Sequence, residues 1–144
     1  KTLLLLQSLL SSWEDGGFSQ TMALFAAAAQ GKVDLVRDLL AQGEDIDSVN
    51  VSGWTALHWA CFLGRHETVR ALIDANAAID IVDKNGDSAL MRACEEGHSG
   101  CTRVLIDAGA AVDTANNKGW TALMVARRKR HHDCARALMG VRNL

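Results

Sequence analysis

Six residues in the C-terminal half carry the side chains of metal chemistry: Cys94, His98, Cys101, His131, His132 and Cys134. Zinc takes thiolate and imidazole in tetrahedral sets, but the run Cys94-x3-His98-x2-Cys101 does not have the spacing of a zinc finger. His58 and Cys61 share one face of an expected helix, the nearest approach to a nucleophile beside a base. Nucleophilic catalysis also needs a third group to orient the base, and none is evident. There is no phosphate-cradling glycine loop and no metalloprotease motif. The third cluster is Arg127-Arg128-Lys129-Arg130-His131-His132, the densest charge run in the chain. Short basic clusters serve as targeting signals or as patches for acidic partners; the plainer reading is a solvated turn. No enzyme activity, cofactor or metal is expected.

The positions of these residues answer to a larger pattern. Gly53-Trp54-Thr55-Ala56-Leu57-His58-Trp59-Ala60 recurs 33 residues later as Gly86-Asp87-Ser88-Ala89-Leu90-Met91-Arg92-Ala93. It returns as Gly119-Trp120-Thr121-Ala122-Leu123-Met124-Val125-Ala126, and a fainter copy begins at Gln20. Gly31, Gly64 and Gly97 keep the same step, with Arg130 in the fourth place. So do the apolar pairs Leu39-Leu40, Leu72-Ile73, Leu105-Ile106 and Leu138-Met139, the turn residues Gly43, Asn76 and Gly109, and Asp47, Asp80 and Asp113. A fixed period of this size is the mark of a stacked repeat array.

Within each unit the pattern reads as short helix, turn, longer helix, turn and extended tip. Thr55, Ser88 and Thr121 stand where a hydroxyl caps the first helix. That helix is small and apolar around most of its circumference, as a helix sandwiched between neighbours must be. The second helix has one wet face, where Arg37, Arg70, Arg103 and Arg136 form a column with acidic residues at helical spacing. Cys61 and Cys94 are equivalent, as are Cys101 and Cys134. Equivalent positions on packed helices lie roughly 8–10 Å apart, beyond the span of a disulfide, so free buried thiols are expected.

On these motifs the chain resembles the ankyrin repeat family. The carrying segments are Gly-x-Thr-Ala-Leu-His-x-Ala-Cys at 53–61, Gly97-His98, and Gly109-Ala110-Ala111-Val112-Asp113. The resemblance implies an all-α repeat solenoid of helix-turn-helix units with short hairpin tips. Its expected division is a helical cap or linker at 1–19, units at 20–52, 53–85 and 86–118, and a truncated fourth unit at 119–144. Ala56, Ala89 and Ala122 stand where the family usually has proline, and the chain has none. That absence raises unfolded-state entropy by about 0.4–1 kcal/mol per site and predicts less regular turns. The signature histidine survives only as His58.

The 144 residues suit one domain, and a formal net charge of −2 gives no global electrostatic case for nucleic acid. The Leu-rich run at 3–10 is far shorter than the roughly 20 apolar residues of a membrane span. It is read as a helix covering the end of the stack, with a signal-peptide core as the lesser alternative. A start at Lys1 rather than Met leads to the expectation that the chain is a piece of a longer protein. Free cysteines point to a reducing compartment, cytoplasmic or nuclear.

Ankyrin-type proteins usually bind through their tips and exposed first-helix positions. Carried over, the tips are Val51, Ser52 and Trp54; Lys84, Asn85 and Asp87; Asn117, Lys118 and Trp120. The helix positions are Phe62 and Leu63; Glu95 and Glu96; Arg128 and Lys129. The expected function is that of a non-catalytic adaptor, monomeric or part of a larger chain, gripping the apolar anchor of a partner protein or peptide. Trp54, Phe62 and Leu63 would hold that anchor. Glu95 and Glu96 would accept a basic residue, and Arg128 and Lys129 an acidic one. The alternatives are the targeting domain of a larger enzyme and a nucleic-acid-associated factor using the basic run at 127–132.

Overall fold

A computed structural model describes residues 20–142; the expected cap or linker at 1–19 lies outside the described residues. The described elements, in chain order, are α1 (Gln20–Gln30), α2 (Val33–Ala41), α3 (Ala56–Phe62), α4 (His66–Asp74), α5 (Ala89–Glu96), α6 (Ser99–Asp107), α7 (Ala122–Arg128) and α8 (His132–Arg142). The odd-numbered helices stack on one another as an inner layer, and the even-numbered ones pack behind them. This is the all-α solenoid that the period predicts.

The inner layer forms because most of its side chains are short or apolar. All seven residues of α3 are buried, His58 included. In α4 the pattern splits: Val69 and Leu72 are buried, whereas Glu67, Arg70 and Asp74 face water. Thr55, Ser88 and Thr121 accept N–H bonds from His58, Met91 and Met124 at 3.2, 3.3 and 3.4 Å. Their φ angles are −89°, −81° and −88°, so the first turns are uniform even without proline. The expected irregularity is absent because the caps fix the entry geometry.

Two sets of bonds tie each unit to the next. Arg65 Nε donates to the carbonyl of Ala29 at 3.0 Å, His98 Nε2 to that of Phe62 at 3.0 Å, and His131 Nε2 to that of Glu95 at 3.1 Å. Donors and acceptors both step by one repeat. On the other side, Asp47 accepts from the backbone N–H of Ala78, and Asp80 from that of Ala111, each at 2.9 Å. His98 and His131 therefore act as tethers between units. Among the described residues no group of three or more His, Cys, Asp and Glu is arranged to hold a metal ion.

The cysteines are free and buried. They neighbour one another diagonally across units, Cys61 beside Cys101 and Cys94 beside Cys134, and Thr102 Oγ1 stands 3.8 Å from Cys94 Sγ and 3.6 Å from Cys134 Sγ. Burial and then the neighbouring Cys101 thiol push the Cys61 thiol up. Considering only positions one repeat apart misses this, because the partner of a first-helix thiol sits on the second helix of the following unit. On the wet face, Asp34–Arg37 and Asp133–Arg136 form ion pairs at 3.8 and 3.9 Å.

Candidate protein-binding surface

The tips are tight hairpins organised by one recurring side chain. Asn50 Oδ1 accepts from the backbone N–H groups of Ser52 and Trp54, each at 2.9 Å. Asp83 does the same for Asn85 and Asp87, and Asn116 for Lys118 and Trp120, at 2.9–3.0 Å. Successive tips are bonded together, from Lys84 N to Ser52 O at 3.1 Å and from Asn117 N to Asn85 O at 3.0 Å. Glycine is required at the bend: Gly53 has φ +81°, and a Cβ there would stand 3.1 Å from the backbone of Asp83.

Where the neighbouring units have Asn, the second has Asp83, whose second oxygen needs a cation. Arg92 supplies it at 2.6 Å and also meets Asp87 at 3.1 Å and Glu95 at 2.9 Å. Burial alone would lower the pKa of this arginine; the hydrogen bond to Asp83 and the three carboxylates outweigh it and raise the pKa. The guanidinium also lies over Trp54, 4.9 Å from the ring centre. Behind it, His58 receives the Thr55 N–H on Nδ1 at 3.2 Å and faces the Asp87 carbonyl with Nε2 at 3.0 Å. Nε2 therefore carries the hydrogen. Burial lowers the pKa of His58, and the bond to Asp87 opposes that only in part.

A cleft of about 430 Å³ opens between the third and fourth units. Asp87, Arg92 and Glu95 line one side, and Lys118, Trp120, Arg128 and Lys129 the other. Arg128 lies over Trp120 with its guanidinium 4.6 Å from the ring centre.

The chain matches the family described as "Ankyrin repeats (3 copies)" over residues 2–83 and again over 75–143. It belongs to the ankyrin repeat family. Ankyrin repeats are protein-interaction modules. Among curated proteins the chain is similar to human protein phosphatase 1 regulatory subunit 12B, with 51% identity over 43 residues. That alignment covers 30% of this chain and 4% of the relative. The chain thus spans a small fraction of the relative it matches.

Of the residues expected on the binding face of this ankyrin domain, the cleft gathers Asn85, Asp87, Glu95, Asn117, Lys118, Trp120, Arg128 and Lys129. Val51, Ser52, Lys84 and the partly buried Glu96 lie outside it. The expected exposure of Trp54 and Phe62 is corrected. They are only 7% and 4% exposed, and Leu63 is half-buried. The tip folds Trp54 down onto its own first helix, where it meets Trp59 and Phe62 with ring centres 4.8 and 5.2 Å apart. Arg92 of the next unit covers the result. Glu95 is likewise engaged internally, by Arg92, before any partner arrives.

Arg92 is the residue that the motif analysis passes over. It takes the register position of Trp59 and Val125, and Asp83 that of Asn50 and Asn116. Two opposite charges entering adjacent units together, at positions apolar or neutral elsewhere, were the available signal. The basic run at 127–132 does not act as a unit. Arg127 contacts the Met139 sulfur at 3.3 Å, Arg128 and Lys129 line the cleft, and His131 turns back to Glu95. No helix among the described residues is long and apolar enough to cross a membrane.

Proposed function

We propose that this ankyrin domain is a non-catalytic protein-binding module that seats a partner protein or peptide on its tip-and-first-helix surface, centred between the third and fourth units. The observation that carries this reading is the cleft in which Arg128 is stacked on Trp120. An aromatic ring beside a held arginine is the kind of pair from which binding hot spots are built. The regulatory subunit to which the chain is similar agrees, by its name, with a binding role rather than a catalytic one. Since Trp54 and Phe62 are buried, the apolar share of the contact falls to Trp120, Val125 and the 85%-exposed Val51.

The test is site-specific photocrosslinking in cell extract. A photoreactive residue in place of Lys129 is expected to capture a discrete set of proteins, lost when Trp120 and Arg128 become alanine. The same group at Arg103, on the wet face of α6, is expected to capture none of that set. Capture from Arg103 alone, or capture indifferent to the alanine changes, would move the binding face elsewhere.

A further inference from the structure

We propose that the cleft between the third and fourth units selects an acidic peptide, with an Asp or Glu carboxylate of the partner bonded to Arg128 and flanked by Lys118 and Lys129. This rests on the reading of the domain as a protein-binding module and adds the chemistry of its partner.

The argument comes from the state of the hydrogen-bonding groups on the two walls. On one wall, and in the buried Asp83 behind it, the carboxylates are already engaged. Asp83 has two backbone N–H groups on Oδ1 and Arg92 on Oδ2. Asp87 has the Asn116 amide on Oδ1 at 2.8 Å and Arg92 on Oδ2 at 3.1 Å. Glu95 Oε2 has Arg92 at 2.9 Å. A basic residue from a partner would have to compete with Arg92, which is held by three carboxylates and a tryptophan face.

The opposite wall is in the reverse condition. Among the described residues, Lys118, Arg128 and Lys129 form no ion pair. Arg128 is nevertheless held, because its guanidinium lies on Trp120. Stacking leaves the N–H edge of a guanidinium free, and that edge matches a carboxylate in bidentate geometry. An arginine already resting on a ring loses less freedom on binding. The cleft therefore offers one positioned donor group, flanked by two exposed lysines and without an acceptor, which calls for an anion.

The acidic wall decides which anion. A nucleic acid strand brings a charge with every nucleotide and would set several of them against Asp87 and Glu95. A lone carboxylate can sit against Arg128 while the neutral parts of a peptide meet Val125 and the Trp120 edge. An acidic side chain in an otherwise neutral segment fits both walls.

The experiment is selection from a phage-displayed random dodecapeptide library on the full chain, followed by fluorescence anisotropy with a labelled consensus peptide. Enriched sequences are expected to carry Asp or Glu at one fixed position. Changing that residue to Asn or Gln should weaken binding roughly tenfold or more, as should Arg128→Glu or Trp120→Ala in the protein. A consensus bearing Lys at the fixed position should recover affinity for the Arg128→Glu variant. Arg103→Glu should change nothing, and circular dichroism should show each variant folded. Peptides that enrich without an acid, yet lose binding in Trp120→Ala, would overturn the acidic selection and leave the protein-binding site standing. Failure to enrich any peptide would count against both. A phosphoserine peptide or a short single-stranded DNA that binds more than tenfold tighter than the acidic consensus would also overturn the proposal.

Discussion

Arg92 lies over Trp54 of the preceding unit, its guanidinium carbon 4.9 Å from the ring centre, while the same guanidinium bonds Asp83 at 2.6 Å. One side chain thus joins two repeats, closes a tip and neutralises a carboxylate that is fully buried. Removing one partner of such a pair strands the other charge. Arg92→Met is expected to lower unfolding stability by about 3–5 kcal/mol, read as a drop in the urea midpoint. Adding Asp83→Asn should restore much of the loss, since Asn50 and Asn116 already perform the turn function of that residue. Equal losses in the single and double variants would show that the ion pair is not the cause.

His58 gives the domain a defined response to acid. Its pKa is lowered below 6.5 in the folded chain because burial disfavours the charged ring. The unfolded chain therefore takes up this proton first as pH falls. The contribution of neutral His58 is complete above about pH 6.5. It declines as pH falls from there toward the folded pKa, below which both states are protonated. Urea midpoints at pH 7.5 and 5.5 should differ more for the wild type than for His58→Gln. An identical pH dependence in both proteins would remove His58 as its source.

The fourth turn departs from the glycine of the other three. Arg130 has φ +61° where Gly97 has φ +78°. A side chain in this left-handed region costs about 1–2 kcal/mol. Arg130→Gly is expected to stabilise the fold by about 1 kcal/mol, once the extra freedom of glycine in the unfolded chain is deducted. Gly97→Ala should do the opposite, because its Cβ would stand 2.5 Å from Nδ1 of His131 and dislodge the tether to Glu95. Thermal midpoints moving in opposite directions check both.

Thr68 has a buried hydroxyl with no hydrogen-bond partner. Its register equivalents are Cys101 and Cys134, which stand beside the Cys61 and Cys94 thiols. The matching partner position for Thr68 is Ala28, which has nothing to offer. Thr68→Val keeps the shape and removes the stranded group, so a gain of about 1 kcal/mol is expected. A loss measured by urea unfolding would mean that the hydroxyl has a bond after all.

The period and the helix caps were legible because each repeats: Thr55, Ser88 and Thr121 occupy one slot and do one thing. The tips were legible as positions but not as environments. Sequence places Trp54 and Trp120 in equivalent slots, yet the first is buried and the second lines the cleft. The difference lies in what stands opposite, Arg92 in one case and Arg128 in the other. Arg92 comes from the following unit and Arg128 from the same one. Such contacts depend on how units stack, which the order of residues within one unit does not reveal. The diagonal cysteine pairs escaped for the same reason.

The tethers at Arg65, His98 and His131 have a bearing on how such a chain grows. Each of the first three units presents a backbone carbonyl at the end of its first helix, and each of the last three a donor at the start of its second, always at the same step. The coupling of a repeat array lies in such nearest-neighbour contacts. Plug and socket share one gauge, so a duplicated copy of 86–118 spliced in after the original would find Glu95 waiting for its own His98 and would offer His131 an unchanged mate. Lengthening by duplication needs no adjustment of these bonds on either side, and the tips remain free to diverge while the spine stays interchangeable.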